Sequence, residues 1–592
     1  MTSLLPLPAV VPLLAAAFVV ATNHVLPRKV LATVAIATAA AVCALGIVLT
    51  MHAGAVHWFG GWRPRGGLAL GIDFVADPLG TAMVAFVGGI VLVALVYSWT
   101  YLQEAAPWFY TLILVCCGAM CGFALSGDLF NIFVWLELAG VAAYALTGFE
   151  VRHIGPLQGA VNFAITNAIG GYLVVVAIAL LYARTGALNL AQIGRALGHG
   201  GAGGIVVVAM TLAFVGFLCK AAVAPFHLWL DDAYAVAPVP VCAVFAGVTT
   251  DIGLLGVARV YWTVFDAPFG THSMRVGDLL IVLGILSALL GGTMALLQRH
   301  LKRMLAYSVI CHVGIMLAGV GLLSSRGLAG SADMLLAHGL LTAGLFLAVG
   351  VLIARLRSAD ELHLRGAGSG MRVLGVAWTV AALGLAGAPY LGDFLGHAQI
   401  DEAASASGRA WMSPFLWLAG ALASAALLRA GGRIFLGLGA KTDPHLSPEM
   451  EETPPPRGST VVLVAVAAGA IALGAVVSVV PGLAPRSEYA AARFVDRSAY
   501  VAEVLRGAPE PRLSHAPFTL EPASTGTLVY GTGAAFLAVA LAALLLRRPV
   551  PRRLGSPIAV LKAAHSGIVG DYIMWLTVGT ALIGGVWAAT LR

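Results

Sequence analysis

Charge is what this chain has least of. Only 10% of its 592 residues are Asp, Glu, Lys or Arg, against roughly 25% in soluble domains. That scarcity excludes a soluble multidomain enzyme. No basic patch with interleaved aromatics occurs, so the net charge of +7 does not point to nucleic acid. Cysteine is sparse as well. Of the seven, Cys116, Cys117 and Cys121 share one apolar run, and no spacing suits zinc or an iron–sulfur cluster. They are expected to be unpaired core thiols. The chain has no HExxH, no dinucleotide-binding glycine fingerprint and no phosphate loop. Neither a metal, a cofactor nor NADH chemistry is expected within it, a haem held by paired helix histidines being the remaining alternative.

What the chain has in abundance is apolar length. Hydrophobic residues make up 60%, and runs of about 20 recur from end to end, each able to cross a bilayer as a helix. Backbone groups in lipid must bond internally, which favours helices. The expected fold is all-α, a polytopic membrane protein of about sixteen transmembrane helices. They are expected near 4–22, 30–50, 74–98, 108–126, 129–148, 160–183, 202–223 and 236–262. Further ones are expected near 277–297, 304–324, 332–355, 373–398, 410–428, 459–482, 526–546 and 569–590. The first run, PLPAVVPLLAAAFVV, lacks a basic leader and reads as a retained helix. An even count puts both termini on one side. Arg28, Lys29, Arg152, Arg299, Lys302, Arg303, Arg355, Arg357 and Arg365 fall in one set of alternating loops, joined by Arg429, Arg433, Arg547, Arg548, Arg552 and Arg553. Arg63, Arg65, Arg184 and Arg195 fall in the other. The bias places the termini on the non-cytoplasmic face of the cell inner membrane. Residues 436–458 read as a solvated loop, and SEYAAARFVDRSAYVAEVLRG as a helix near the membrane surface.

Two apolar segments carry breaks: KAAVAPFHLWLDD with Pro225, and AALGLAGAPYLGDFLGH with Gly387 and Pro389. Proline frees carbonyls that can face an ion path, and matching breaks in two halves suggest an internal repeat. A kink without transport is the alternative.

Ionisable residues inside apolar runs are costly unless paired, wetted or used. Lys220 ends GGIVVVAMTLAFVGFLCK, and Glu137 lies in DLFNIFVWLELAGVAAYAL. If they meet, each stabilises the other's charge. A static ion pair is the bland reading. A proton switch is the functional one, since a pKa unit represents about 1.4 kcal/mol and a membrane potential supplies roughly 2.3 kcal/mol per charge per 100 mV. Asp128 reads as the cap of the Glu137 helix, with Asn131 beside it. His227 follows the first break as a relay candidate, with Asp231 and Asp232 as a vestibule or a solvated helix end. Asp251 lies mid-helix, flanked by Thr249 and Thr250, and either pairs with Lys220 or lines a water path. Lys302, His312 and His338 sit in later helices. His397 follows the second break, with Asp393 as a titratable exit. Asp401 and Glu402 read as loop residues at the membrane surface.

These motifs, in order, resemble the antiporter-like proton-translocating membrane subunits. That family includes the large membrane subunits of respiratory complex I, their equivalents in membrane-bound hydrogenases and the large subunits of Mrp-type sodium/proton antiporters. The matching runs are GDLFNIFVWLELAGVAAYAL, KAAVAPFHLWLDDAYAVAPVPVCAVFAGV, QRHLKRMLAYSVICHVGIMLAG, MLLAHGLLTAGLFLAVG and LAGAPYLGDFLG. They cover residues 70–430, and the first looks closest to the Mrp D subunit. The resemblance implies a fourteen-helix core with two inverted five-helix repeats, each holding a broken helix. It implies segments 1–107 (N-terminal helices), 108–265 and 266–430 (the repeats) and 431–592 (loops and added helices). It assigns Glu137, Lys220, His227, Lys302 and His312 to a hydrated axis that carries protons. Asp251, Thr342 and His397 depart from the family's pattern, which usually has lysine at the first two positions and lysine or glutamate at the third. Either Asp251, His338 and His397 carry the path, or this chain conducts poorly. The implied partners are other membrane subunits of a hetero-oligomer, further antiporter-like subunits among them, with protons or sodium as cargo and lipid around. A redox-driven complex and a non-conducting scaffold are the competing functions.

Overall fold

Proline and acidic caps set the helix starts. Asp77 accepts the Gly80 N–H ahead of Pro78, opening α3 (Pro78–Tyr101). Asp128 accepts the Asn131 N–H at 2.8 Å and opens α5 (Leu129–Thr147), as its sequence position suggests. The chain, described here from a computed structural model, is defined for residues 2–52, 54–102, 106–150, 153–200, 203–440, 459–506, 524–547, 565 and 567–591. Arg152, Arg548, Arg552, Arg553 and most of the 436–458 loop lie outside the described residues.

Before α3 come α1 (Leu7–Thr22) and α2 (Arg28–Thr50), then the strands β1 (Val56–Trp58) and β2 (Asp73–Val75). These strands pair antiparallel with Val56 opposite Val75, a small departure from all-helical expectation. Next are α4 (Ala106–Leu125), α5, α6 (Ile154–Thr185), α7 (Leu190–Gly200), α8 (Gly204–Lys220) and α9 (Trp229–Val236). One continuous span then runs from Val239 to Phe269. It holds α10 (Val239–Val244), α11 (Asp251–Val260) and α12 (Asp266–Phe269), separated by π-helical turns at Phe245–Thr249 and Tyr261–Phe265. The second half comprises α13 (Ser273–Leu297), α14 (Leu301–Gly321), α15 (Ser325–Leu356), α16 (Arg372–Leu385), α17 (Phe394–Ala406), α18 (Ser413–Leu436) and α19 (Thr460–Val476). After them come α20 (Leu483–Val495), α21 (Arg497–Arg506), α22 (Thr525–Arg547) and α23 (Val569–Thr590).

Fourteen of the described helices are long and apolar enough to cross a membrane. Gly204–Lys220 and Arg372–Leu385 are apolar but shorter, because each stops at a break. The core lies around α14, which is buried along almost its whole length, while α1, α22 and α23 keep large apolar side chains such as Leu14, Phe536 and Leu582 exposed. All seven cysteines are free, and all but Cys43 are buried.

Charged loops gather at the helix ends. Glu361 accepts from Arg429 and Arg433, and Asp360 pairs with Arg299, so the arginines after α13 and in the last turns of α18 share one end with the acids after α15. Arg195 reaches Gly67 O at 2.6 Å, bringing together two segments from the sparser basic set. A buried ion pair joins Asp77 to Arg259, whose guanidinium lies 4.5 Å from the Phe494 ring centroid.

The expected surface helix at 487–507 is instead two helices, α20 and α21, split at Asp496. They pack on the protein: Ser487 donates to Asp333 Oδ2 at 2.7 Å, and Phe494, Tyr500 and Val504 are buried. Asp496 accepts the Ala499 N–H at 3.0 Å, and that bond holds its carboxyl below the ordinary range. The resulting stabilisation is present at neutral pH and is lost as the pH falls below about 4, through the folded-state value. Asp496→Ala is expected to cost α21 about 1 kcal/mol, read as roughly fivefold faster amide exchange at Ala499.

Candidate functional site

The first break follows α8. Its apolar run ends at Lys220, which is 4% exposed. Ala222 then takes φ +54°, a left-handed conformation costing an L-residue about 1–2 kcal/mol. Neighbouring polar groups absorb the broken ladder. Ala224 N–H donates to Ser287 Oγ at 2.8 Å, and Trp229 Nε1 donates to Cys219 O at 3.0 Å. Lys220 Nζ lies 5.7 Å from the Phe163 ring centroid, and Phe163 stacks flat on Trp229 at 4.1 Å. Glu137 approaches from α5. Its charge and that of Lys220 act on each other, yet no ion pair of contact length joins them among the described residues.

Gly171 of α6 makes the space that Glu137 occupies. A Cβ built there would lie 2.0 Å from Glu137 Oε1, so any side chain must push the carboxylate away. Gly171→Ala is expected to leave the fold intact, because a flexible carboxylate tip can yield. Ion transport should fall at least tenfold, about 1.4 kcal/mol of barrier, in a proteoliposome flux assay.

Just past the break, His227 Nε2 lies 3.0 Å from His565 Nε2, and Tyr307 donates to Asp231 Oδ2 at 2.9 Å. Asp232 Oδ2 accepts from Asn162 Nδ2 at 3.0 Å and Tyr572 Oη at 2.6 Å. The acids are therefore parts of a bonded network. The C-terminal residues His565 and Tyr572 reach back to complete it.

The second break separates α16 from α17. Tyr390 takes φ +61°, and Gly392 takes φ +53° with its Cβ position 2.7 Å from Gly384 Cα, so only glycine fits at 392. Ser478 Oγ donates to Gly392 O at 2.5 Å and accepts from Leu395 N–H at 3.1 Å. A serine from another helix thus supports each break.

Asp393, His312 and His338 lie together, and they and Asp251 are fully buried. The π-helical turn ahead of α11 adds a residue to the ladder and re-aims the side chains after it, as such turns do at functional sites. Asp251 acts electrostatically on Asp393. Its carboxylate has no hydrogen-bond partner among the described residues, and no ion pair links it to Lys220. His312 Nε2 is 3.6 Å from Asp393 Oδ2, and the His312 and His338 rings stack with centroids 4.6 Å apart. Thr342, one turn beyond His338, donates back to His338 O at 2.7 Å. His397 stacks on Trp417 at 4.1 Å.

The chain resembles known proteins in sequence and fold. Residues 126–425 match the family described as NADH:quinone oxidoreductase/Mrp antiporter, transmembrane. The chain belongs to that family. It is 28% identical over 469 residues to the D subunit of the Na(+)/H(+) antiporter of Bacillus subtilis (strain 168), covering 78% of this chain and 90% of that relative. It is 34% identical over 301 residues to the N subunit of NADH-quinone oxidoreductase of Desulforudis audaxviator (strain MP104C), covering 50% of this chain and 58% of that relative. Among solved structures, a chain of the Mrp complex from Dietzia sp. DQ12-45-1b superposes with a TM-score of 0.74 at 25% identity, over 85% of this chain and 99% of that one.

This family member divides its ionisable residues into three groups. Glu137 and Lys220 lie at the first break. His227, Asp231 and Asp232 lie just beyond it. Asp251, His312, His338 and Asp393 lie at the second break, with His397 beside them. Lys302 stands apart, buried in the first turn of α14, ten residues and about 15 Å along the helix from His312. Asp401 and Glu402 are not loop residues. Both are in α17, where Asp401 Oδ2 accepts from Trp417 Nε1 at 2.7 Å and Glu402 pairs with Arg326 at 3.0 Å. Their helix resumes after the break, which apolar patterning alone does not show. His565, Tyr572, Tyr307 and Gly171 are not legible as site residues in the sequence, since nothing local marks them.

Proposed function

We propose that the chain moves protons, or exchanges sodium for protons, across the cell inner membrane as one subunit of a hetero-oligomeric membrane complex. The observation that carries this reading is the grouping of buried ionisable side chains at both helix breaks. At the first, Lys220 has Glu137 within electrostatic reach but not in contact. At the second, two carboxylates and two imidazoles converge without a lysine. Buried charges in a membrane helix bundle mark ion paths, and broken helices place them there. In this scheme a proton reaching Glu137 weakens its hold on Lys220, and Asp251 with His338 and His397 replaces the lysines usual in the family.

The breaks also support an internal symmetry. With α8–α9 and α16–α17 each counted as one crossing, the described residues make sixteen crossings, fourteen long spans and two broken ones. Residues 108–265 and 266–430 then form inverted repeats flanked by 1–107 and 431–592. The bracing serines agree with this pairing. Ser287 lies in the helix that follows the first repeat, and Ser478 directly after the helix that follows the second.

The likeness to the D subunit of a cation/proton antiporter along most of both chains favours an ion gradient as the energy source and other membrane subunits as partners. The identity to an N subunit of NADH-quinone oxidoreductase favours a second reading, in which a partner's electron transfer drives the same path.

The test is Glu137→Gln in the complex purified with its native partners and reconstituted in vesicles containing a pH-sensitive dye. Ion-coupled pH change should be lost while subunit composition is preserved. A wild-type rate would overturn the assignment, and the co-purifying subunits distinguish an antiporter from a redox complex.

A further inference from the structure

Three fully buried side chains from separate segments converge at the second break: His312 of α14, His338 of α15 and Asp393 between α16 and α17. One ligand-type atom from each lies within 4.8 Å of the other two. Neither ring nitrogen of His338 and neither carboxylate oxygen of Asp393 has a hydrogen-bond partner among the described residues. A buried polar group left unsatisfied is costly, so four such atoms in one place call for an occupant.

His312 narrows what that occupant is. Its Nδ1 lies 2.7 Å from Ser308 O and its Nε2 3.0 Å from Leu385 O. Carbonyl oxygens only accept, and a neutral imidazole carries one N–H. With that proton on Nδ1, Nε2 and the Leu385 oxygen would face each other lone pair to lone pair. A positive species between them removes the conflict, either a second ring proton or a metal ion. The Ser308 contact matches the usual outer partner of a metal-ligating histidine, a carbonyl that takes the other N–H and fixes the tautomer.

Charge separates the two. Asp251 adds a second unpartnered carboxylate acting on Asp393, and no lysine or arginine is ion-paired with either acid among the described residues. Protonating both stacked imidazoles would set like charges face to face. One divalent ion meets both imidazoles and the Asp393 carboxylate without that repulsion.

We infer that His312 Nε2, a ring nitrogen of His338 and an Asp393 carboxylate oxygen form a binding site for a borderline divalent transition-metal ion of the zinc class. Two imidazoles with one carboxylate suit zinc, cobalt(II) or nickel, whereas harder cations favour all-oxygen shells. Zinc-class bonds to such ligands are about 2.0–2.2 Å, so the three side chains close in slightly on binding. Leu385 O stands ready as a further oxygen donor.

Cobalt(II) is the probe, because its visible absorption reports ligand type and count. The full chain, purified in detergent and stripped with chelator, is titrated with Co²⁺. Wild type should bind one Co²⁺ per chain at this site. His338→Ala and Asp393→Asn should each weaken it at least tenfold, and His227→Ala, which breaks the pair with His565 at the first break, should leave it unchanged. Elution volume and thermal midpoint show which variants are folded. Should His338→Ala not fold, the near-isosteric Asp393→Asn decides. No absorption in wild type, undiminished binding in a folded Asp393→Asn, or loss only in His227→Ala would overturn the site. The readout is optical, so it is independent of whether the chain transports ions.

Discussion

Lys220→Met is expected to abolish coupled ion transport while leaving the folded chain at least as stable as wild type. The ammonium is buried, and its neighbours include the Phe163 face rather than a contact-length carboxylate. Burying a charge on these terms is expensive, and replacement by a hydrophobe of similar volume is often neutral or stabilising. Methionine keeps the unbranched stem and removes the cost. What disappears is the positive charge that acts on Glu137. A proton arriving at Glu137 then changes nothing further along the chain. Flux in vesicles should drop about a hundredfold or more, equal to ~2.7 kcal/mol of lost barrier stabilisation, with the thermal midpoint unchanged or raised. A strongly lowered midpoint with normal flux would mark Lys220 as structural.

Arg259→Ala is expected to give the largest loss of stability. Its guanidinium bonds Asp77, lies 3.4 Å from Ala124 O and covers the Phe494 ring. One residue therefore ties α11 to the start of α3, the end of α4 and α20. Alanine strands the Asp77 carboxylate among buried groups, and breaking such a pair from one side typically costs about 3–5 kcal/mol. Asp77→Asn with Arg259 intact should cost less, because the amide still caps α3. Thermal unfolding in detergent, followed by a thiol probe on the buried cysteines, ranks the two variants. Equal midpoints would refute the anchoring role.

The elements legible in the sequence are those in which one residue contradicts its surroundings. Lys220 and Asp251 are charges within apolar runs, and Pro225 and Pro389 interrupt helical ones. All four mark features of the structure. Which contradictions meet is not legible. Nearness in sequence groups Asp393 with His397, yet the ring nitrogen 3.6 Å from its carboxylate is that of His312, on a helix some eighty residues earlier. Asp251, which the sequence offers as a mate for Lys220 beside Glu137, forms no ion pair with it among the described residues. Spacing rules catch ligands on one helix or loop, and the His312, His338 and Asp393 cluster draws one residue from each of three segments. The span expected at 373–398 crosses the break and stops just short of Asp401, whereas α17 runs on to Ala406, because apolar patterning fades before the helix does. The single expected surface helix fails at Asp496, whose carboxylate prefers to cap a new helix over continuing the old one.

The tail of the chain also has a bearing on the first break. His565 and Tyr572 touch His227 and Asp232, and α23 lies beside α8. A chain ending at residue 524 would retain both breaks and every helix of the matched region, yet His227 would lose its partner ring and Asp232 one of its two hydrogen-bond donors. The start of α23 and the residue His565 before it therefore complete the network past the first break, and a truncation far along the chain would be felt at a site some three hundred residues earlier.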